Sequence, residues 1–354
     1  MKTLNLIEYG LTNHINQTAA EFPNEQLARV TEQHRDLYQV IAETGILQAQ
    51  VSGKFQHTAV MTTDFPAVGD WVMITPTAEN GQAIIHRILP RTSALMRGAA
   101  GSDGAGQIIA ANLGTVFICM SLNADFNVRR MERYLTIAWE SGALPVIVLT
   151  KADLCVDLPQ KLAELSEVAI GVDVVTCSAK QNEGYEQLRQ YTDNNQTVAF
   201  VGSSGVGKST LINGLMGQDV FATKEIREDD DKGRHTTTFR QLLKLPTGGI
   251  VIDTPGMREL RIQTGDLAKT FEDIEQLAAQ CKFKDCQHQT EPGCAVQQAI
   301  TAGELSAERF ESYQKLQREM AYSSLNSREL ENEKIKRMFG SKNEMKQMLK
   351  HLKK

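Results

Sequence analysis

The 354-residue sequence contains no apolar run that approaches the ~18 residues needed to span a bilayer. Its amino terminus, MKTLNLIEYGLTNH, has no sustained hydrophobic region behind its single lysine and does not resemble a secretory signal. These absences argue against a membrane partner and leave a cytoplasmic location as the default expectation. Apolar residues are 41% and charged residues 23% of the chain, which is ordinary for globular proteins, and the length predicts two or three domains.

Cysteine is also scarce, and three of the six cysteines are scattered along the chain. They are expected to be buried thiols: Cys119, Cys155 and Cys177. The others lie within 14 positions, together with a histidine: Cys281, Cys286, His288 and Cys294. In a chain that looks cytosolic, such a cluster indicates a metal site rather than a disulfide. Three thiolates and one imidazole would complete a tetrahedral, structural Zn²⁺ site; three reduced core thiols are the alternative.

The net charge of −5 is unevenly distributed. Residues 332–354 hold eight Lys or Arg and two Glu, a net charge of +6. A basic tail on an acidic body suggests a polyanionic partner, and a solvated tail without a partner is the alternative.

Residues 36–90 have the pattern of a small all-β unit. Five short apolar runs, separated by glycines and by the hairpin pair Asn80-Gly81, predict strands: LYQVIA, ILQAQV, TAVMTT, DWVMIT and AIIHRIL. An OB-fold barrel and an SH3-like barrel both fit this number of strands. Residues 1–30 predict a helix plus an extended arm, and residues 97–107, rich in Gly, Ala and Ser, predict a linker or a mobile loop.

Strands and helices alternate after residue 115. Apolar runs typical of strands occur at residues 115–122, 145–150, 172–177, 197–201, 237–245 and 249–253. With helical patterns between most of them, they predict a doubly wound α/β sheet whose ligand loops follow the strand carboxyl ends. Residues 266–330 indicate helices around the Cys/His cluster. There a candidate cap at Ser306 precedes a stripe expected in the core: Phe310, Tyr313, Leu316 and Met320.

The strand at 197–201 leads into GSSGVGKS, residues 202–209, a complete G-x-x-x-x-G-K-[ST] phosphate-binding loop. Its backbone N–H groups and the amino end of the following helix would surround the β-phosphate of a nucleotide. Lys208 would bridge the β- and γ-phosphates, and Ser209 would bind Mg²⁺. An ordinary glycine turn is the alternative.

DTPG, residues 253–256, ends the last predicted strand. Asp253 would hold Mg²⁺ through water, and the Gly256 N–H would contact the γ-phosphate. The charged loop at 227–239 fits the first switch segment of a GTPase, in which Thr236 or Thr237 would complete the Mg²⁺ shell. The sequence does not choose between these two threonines.

TKAD, residues 150–153, ends the strand at 145–150 and predicts guanine specificity. The Asp153 carboxylate can accept hydrogen bonds from guanine N1–H and N2–H₂, two donors that adenine lacks, while Lys151 would lie over the base. At the end of the next strand, residues 178–180 resemble the S-A-K box, whose backbone touches the guanine oxygen. These motifs predict GTP contacts from Thr150, Lys151, Ala152, Asp153, Ser178, Ala179, Lys180, Gly202, Ser203, Ser204, Gly205, Val206, Gly207, Lys208, Ser209 and Thr210.

The base-reading boxes precede the phosphate loop, whereas they follow it in an ordinary GTPase. The five boxes occur in the order 4-5-1-2-3, which predicts a circularly permuted domain; permutation is tolerable because domain termini often lie close together. The segment after DTPG then runs directly into the Cys/His region, so we expect the nucleotide state to be transmitted there.

The chain resembles one family over nearly its whole length: the circularly permuted GTPases that depend on the small ribosomal subunit (RsgA, also called YjeQ or YloQ). The resemblance is carried by VGDWV (68–72), LPR (89–91), TKAD, GSSGVGKST, GRHTTT (233–238), DTPGMREL (253–260) and the Cys/His cluster. It implies an OB-fold within residues 1–96, a permuted GTPase within 97–265 and a helical zinc domain with a basic tail within 266–354. It also implies GTP hydrolysis, stimulated by the small subunit, during late maturation of that subunit.

Two positions depart from an ordinary GTPase. Thr150 stands where Asn is more usual, and Met257 stands where many GTPases carry a Gln that orients water. Met257 cannot form that hydrogen bond, so the catalytic group must come from another switch residue or from the partner. His235 is the nearest candidate, and a solvated loop histidine is the alternative. The catalytic residues are then Lys208, Asp253, Gly256 and His235.

We therefore expect a monomeric GTPase that uses Mg²⁺ with GTP and contacts rRNA through the barrel, the basic tail and Lys282-Phe283-Lys284. A protein-binding GTPase switch that does not act on the ribosome is the competing interpretation, and salt-dependent RNA binding separates the two. A third is a nucleic-acid-binding protein whose phosphate loop is vestigial or uses ATP; the intact Lys208 and Asp153 argue against it.

Overall fold

The computed structural model describes residues 3–77, 81–98, 106–123, 125–221, 240–254 and 265–323. The strands in these residues are β1 (Gln26–His34), β2 (Leu37–Ala42), β3 (Gly45–Val51), β4 (Trp71–Pro76), β5 (Gln82–Ile88), β6 (Ala94–Arg97), β7 (Gln107–Ala111), β8 (Thr115–Ser121), β9 (Leu144–Thr150), β10 (Asp173–Thr176), β11 (Thr197–Gly202), β12 (Gln241–Lys244) and β13 (Ile250–Asp253). The α-helices are α1 (Asn13–Ala20), α2 (Gly53–Thr58), α3 (Val128–Glu140), α4 (Leu158–Ser166), α5 (Tyr185–Arg189), α6 (Lys208–Met216), α7 (Leu267–Thr270), α8 (Glu272–Ala278), α9 (Ala295–Ala302) and α10 (Ala307–Ser323).

The first five strands close into a barrel. They follow the order β1-β2-β3-β5-β4, and β4 pairs back onto β1 with Leu27 opposite Met73. This is the five-stranded Greek-key arrangement of an OB-fold, so the structure selects the OB type from the two barrels that the sequence left open. The interior is filled by small and branched side chains, among them Ala28, Val30, Val40, Val72, Ile74 and Ile85.

Two elements of this region differ from the sequence prediction. Residues 26–34 form β1, a strand of the barrel, where the sequence predicted only an extended arm within residues 1–30. TAVMTT is not a strand, because α2 ends at Thr58 and a 3₁₀ turn follows at Thr62–Asp64. The Asp64 carboxylate accepts the backbone N–H groups of Val60 and Met61, both at 2.9 Å, so these donors need no neighbouring strand.

The central sheet has the order β10-β9-β8-β11-β13-β12, with only β12 antiparallel. Every residue of β8 and β11 is buried, as expected for parallel strands covered on both faces. Along β8, Ile118 packs in one core with α3, and Phe117 packs in another with α6. The doubly wound α/β sheet is therefore confirmed.

The barrel adjoins this sheet through β1. Glu32 of β1 pairs with Gln241 of β12, and the buried Arg29 donates to the Thr197 hydroxyl at 3.0 Å. Burial lowers the pKa of Arg29 to about 9, although the nearby Asp70 opposes this shift. The first residue of β11 is thus fixed from the barrel side.

Helices α7–α10 pack onto the face of the sheet that carries α3. Phe310, Tyr313 and Leu316 are buried in the same core as α3, with Met320 partly buried against it, so the core role of the α10 stripe is confirmed. The Ser306 hydroxyl accepts the Arg309 N–H at 3.4 Å, consistent with its predicted place at the start of α10.

A buried arginine also joins α10 to α3. The Arg309 guanidinium donates to both carboxylate oxygens of Asp273 at 2.7 Å and to Glu132 Oε1 at 2.9 Å. It also donates to the Thr270 carbonyl at 3.1 Å. Charged hydrogen bonds, as well as apolar packing, therefore hold the carboxyl-terminal helices against α3.

Candidate functional site

The phosphate-loop sequence lies between the fully buried strand β11 and the amino end of α6. Gly202 has φ 146°, and a Cβ there would lie 2.4 Å from the Cys119 carbonyl oxygen. Gly207, just before α6, has φ 102°. Both positions require glycine, and the loop therefore turns tightly around the amino end of a nine-residue helix.

Lys208 is held inside this loop. Its Nζ donates to the carbonyl oxygens of Gly202 and Ser203, both at 2.8 Å, and the residue is only 7% exposed. Burial lowers the pKa of Lys208, while Cys119 and Asp253 act to raise it. A lysine side chain within a glycine loop, at the amino end of a helix, is a binding arrangement for phosphate.

The two predicted base-reading segments contact one another at adjacent strand ends. The Ser178 hydroxyl donates to Asp153 Oδ1 at 2.8 Å, and the Ala152 N–H donates to the Cys177 carbonyl at 3.1 Å. Lys151 adopts a left-handed conformation, φ 57°, at the turn between β9 and the following 3₁₀ helix. The Asp153 carboxylate is thus oriented by Ser178.

Thr150 connects this region to the phosphate loop, since its hydroxyl donates to the Val206 carbonyl. The residue that replaces the usual Asn therefore still bonds to the loop. Among the other predicted GTP contacts, Ser204 and Ser209 are half-buried, whereas Gly205, Thr210, Ala179 and Lys180 are exposed.

Asp253 ends β13 and pairs in register with Phe200 of β11, so it lies beside the strand that leads into the loop. It is 2% exposed, and the next hydroxyl, that of Thr254, donates to the Phe200 carbonyl. The remaining predicted catalytic and magnesium residues lie outside the described residues, as does Met257: His235, Thr236, Thr237 and Gly256.

Sequence reasoning missed two residues of α3 that contact the phosphate loop. Arg130 Nη1 donates to Ser203 Oγ at 3.0 Å, and the Tyr134 hydroxyl also hydrogen-bonds to Ser203. No motif marks either residue. Their spacing of four places both on one helix face, but which element that face meets depends on the tertiary fold.

Four side chains of the segment between α8 and α9 form a compact cluster. One ligand atom from each of Cys281, Cys286, His288 and Cys294 lies within 4.8 Å of all the others. His288 Nδ1 is 3.5 Å from Cys281 Sγ and 3.4 Å from Cys294 Sγ, and the two sulfurs are 3.9 Å apart. These residues could hold a metal ion, as the sequence predicted.

The surface beside this cluster is aromatic and basic. Phe283 is 41% exposed, and Lys282 Nζ lies 5.5 Å from the centre of its ring.

Among the described residues, none of the helices has the length and apolar character needed to cross a bilayer.

Comparison with known proteins gives a consistent result. The sequence model of the family "RsgA GTPase" matches residues 88–263. The chain is 60% identical to "Small ribosomal subunit biogenesis GTPase RsgA 2" of Lactiplantibacillus plantarum over 98% of both chains. It is 45% identical to "Small ribosomal subunit biogenesis GTPase RsgA" of Methanosarcina acetivorans over 88% of this chain and 85% of that one.

Solved structures agree on the fold. YjeQ from Thermotoga maritima superposes with a TM-score of 0.62 and 29% identity, covering 84% of this chain and 99% of that one. YloQ, described as a circularly permuted GTPase, gives 0.59 at 24% identity, covering 85% and 97%. The circular permutation inferred from the box order is confirmed.

Proposed function

The chain belongs to the RsgA GTPase family, and we propose that it hydrolyses GTP as an assembly factor in late maturation of the small ribosomal subunit. We propose further that this subunit stimulates the hydrolysis. The observation that carries the proposal is the meeting of both base-reading segments and the phosphate loop, through Asp153, Ser178 and Thr150. In this family context, that geometry suits a guanine nucleotide.

The nucleotide would be held from both ends. Lys208 would exchange its two loop carbonyls for the β- and γ-phosphates, a short movement because its Nζ already lies within the loop. At the base, Asp153 would accept the guanine N–H groups while Ser178 keeps its carboxylate in place. Mg²⁺ would be bound by Ser209 and by Asp253 through water.

The catalytic step would depend on a group other than residue 257. A methionine at that position cannot orient water, so His235 or a ribosomal group would do so, with Gly256 contacting the γ-phosphate and Thr236 or Thr237 completing the Mg²⁺ shell. A low intrinsic rate that rises on the partner is consistent with this arrangement.

The metal of the Cys/His cluster would be one structural Zn²⁺ per chain. Ideal tetrahedral zinc with Zn–S bonds of about 2.3 Å has sulfur–sulfur edges of about 3.8 Å, and the Cys281–Cys294 separation of 3.9 Å fits this value. Four protein ligands would leave no position for substrate. The zinc ion would therefore have a structural role only, which is to cross-link the segment between α8 and α9.

We propose that the unit boundaries are residues 1–96, 97–265 and 266–354, and that the flanking units bind rRNA. The exposed Phe283 with Lys282, the OB barrel and the basic residues of 332–354 would supply stacking and phosphate contacts. The protein would act as a monomer in the cytoplasm, where its proposed partner is assembled.

Co-sedimentation with ribosomal particles tests the partner. With a non-hydrolysable GTP analogue, the protein should sediment with small subunits and not with large subunits, and should dissociate as salt is raised. Absence from the small-subunit fraction at low salt would refute the ribosomal role and favour a GTPase switch with a protein partner.

A further inference from the structure

We propose that Arg130 is a positioning residue of the phosphate loop, which fixes Ser203 and, through it, one of the carbonyls that hold Lys208. The inference rests on the proposed function, because it assumes that residues 202–209 bind the phosphates of GTP.

The contacts form a continuous chain from α3 to Lys208. Asp125 accepts Arg130 Nη2 at 2.8 Å, and Arg130 Nη1 donates to Ser203 Oγ at 3.0 Å. The carbonyl of the same Ser203 accepts Lys208 Nζ at 2.8 Å. Tyr134, one helical turn beyond Arg130, bonds to the same serine side chain. Two long side chains thus converge on the second residue of the loop.

Helix α3 is itself held by α10, so it can present Arg130 at a fixed position. Arg133 forms a two-bond ion pair with Glu319 of α10, with both distances 2.7 Å. Glu132 bonds to Arg309 of the same helix at 2.9 Å. At the helix start, the Asn127 side chain accepts the Arg130 N–H at 2.9 Å.

This placement predicts a uniform effect on nucleotide binding. Arg130 acts on the loop backbone before any bond to phosphorus breaks, so GDP and GTP should be affected equally. KM should then rise while kcat stays nearly unchanged, which is the behaviour of an interaction made equally in the ground state and the transition state.

The test is the Arg130→Gln variant, which keeps a polar side chain but removes the charge. Titration with a fluorescent GDP and with a fluorescent non-hydrolysable GTP analogue should give Kd values raised about tenfold for both, or ~1.4 kcal/mol. KM should rise to the same extent, with kcat within about twofold. The matched control is Arg133→Gln on the same helix, whose partner is Glu319 rather than the loop; because the Glu132–Arg309 bond still holds α3 against α10, its Kd should stay within about twofold.

A double-mutant cycle tests the route. If Arg130 acts through Ser203, then Arg130→Gln combined with Ser203→Ala should bind nucleotide no more weakly than the weaker single variant. Additive losses would overturn the proposal, as would an unchanged Kd in Arg130→Gln or an equal loss in Arg133→Gln. Lys208→Ala distinguishes failure of this inference from failure of the proposed phosphate site. If Lys208→Ala loses nucleotide binding but Arg130→Gln does not, only the role of Arg130 is refuted. If Lys208→Ala binds nucleotide as well as the unchanged protein, the phosphate site itself is refuted.

Discussion

The carboxyl-terminal helices should depend on Arg309 more than on any one of its acidic partners. The Arg309 side chain is 3% exposed and that of Glu132 is fully buried, whereas the Asp273 side chain is 29% exposed. Replacing Arg309 with Met leaves Glu132 with Arg129, 2.6 Å away and 32% exposed, as its remaining cation. Breaking a buried pair costs 3–5 kcal/mol, and since Arg129 remains we expect about 3 kcal/mol.

The opposite change should be milder. In Glu132→Gln, Arg309 keeps both bonds to Asp273 and its bond to the Thr270 carbonyl. The Gln side-chain oxygen can still accept from Arg309 and Arg129, so these two bonds lose the charge of their acceptor but not the acceptor itself, and the expected loss is about 1.5 kcal/mol. Arg318→Met is the matched control on α10, because the exposed Arg318 bonds to a carbonyl of its own helix; we expect a change within about 0.5 kcal/mol.

Hydrogen exchange of the α10 amides measures these differences locally, without requiring the whole chain to unfold in one step. The openings of α10 should become about a hundredfold more frequent in Arg309→Met and about tenfold more frequent in Glu132→Gln. Equal effects of the two variants, or unchanged exchange in Arg309→Met, would refute the reasoning from burial.

The remaining predictions concern the base, the metal and the loop. Asp153→Asn should weaken GTP binding by about a hundredfold or more and favour xanthosine nucleotides, in competition assays; unchanged GTP affinity would remove Asp153 from the base site. Replacing Cys294 with Ser, or removing zinc with a chelator, should abolish the one-to-one zinc content and the circular-dichroism signal of α8–α9. Retained helicity without zinc would contradict a structural metal. Gly202→Ala should destabilise the protein by roughly 2 kcal/mol in thermal unfolding, because the added Cβ would lie 2.4 Å from the Cys119 carbonyl oxygen. Gly217→Ala is the control, because an added Cβ there has no atom within 4 Å; we expect it to cost only about 1 kcal/mol, from its positive φ.

The sequence predicted the central sheet well because its strands are buried on both faces. β8 and β11 are continuous apolar runs with every residue buried, and nothing in their composition competes with that reading. β1 was missed because its second half, Thr31 to His34, is polar and only Thr31 of it is buried, so no alternation of apolar and polar residues marks the strand.

The site was predictable where one short segment carries the chemistry. The phosphate loop needs glycine at fixed positions, and Asp153 follows a strand directly, so both can be read from local sequence. Arg130 and Arg309 could not be found in this way. Their functions are set by partners 73 and 177 residues away, and a helix sequence does not state which residues its faces meet.

The central claim is tested most directly by the rate of GTP hydrolysis by the purified protein, alone and with small ribosomal subunits. Large subunits and ATP serve as controls. The account predicts a slow intrinsic rate that the small subunit alone raises by about tenfold or more, or at least ~1.4 kcal/mol of transition-state stabilisation. A rate that the small subunit does not change, or that large subunits raise equally, would contradict a GTPase that depends on the small subunit.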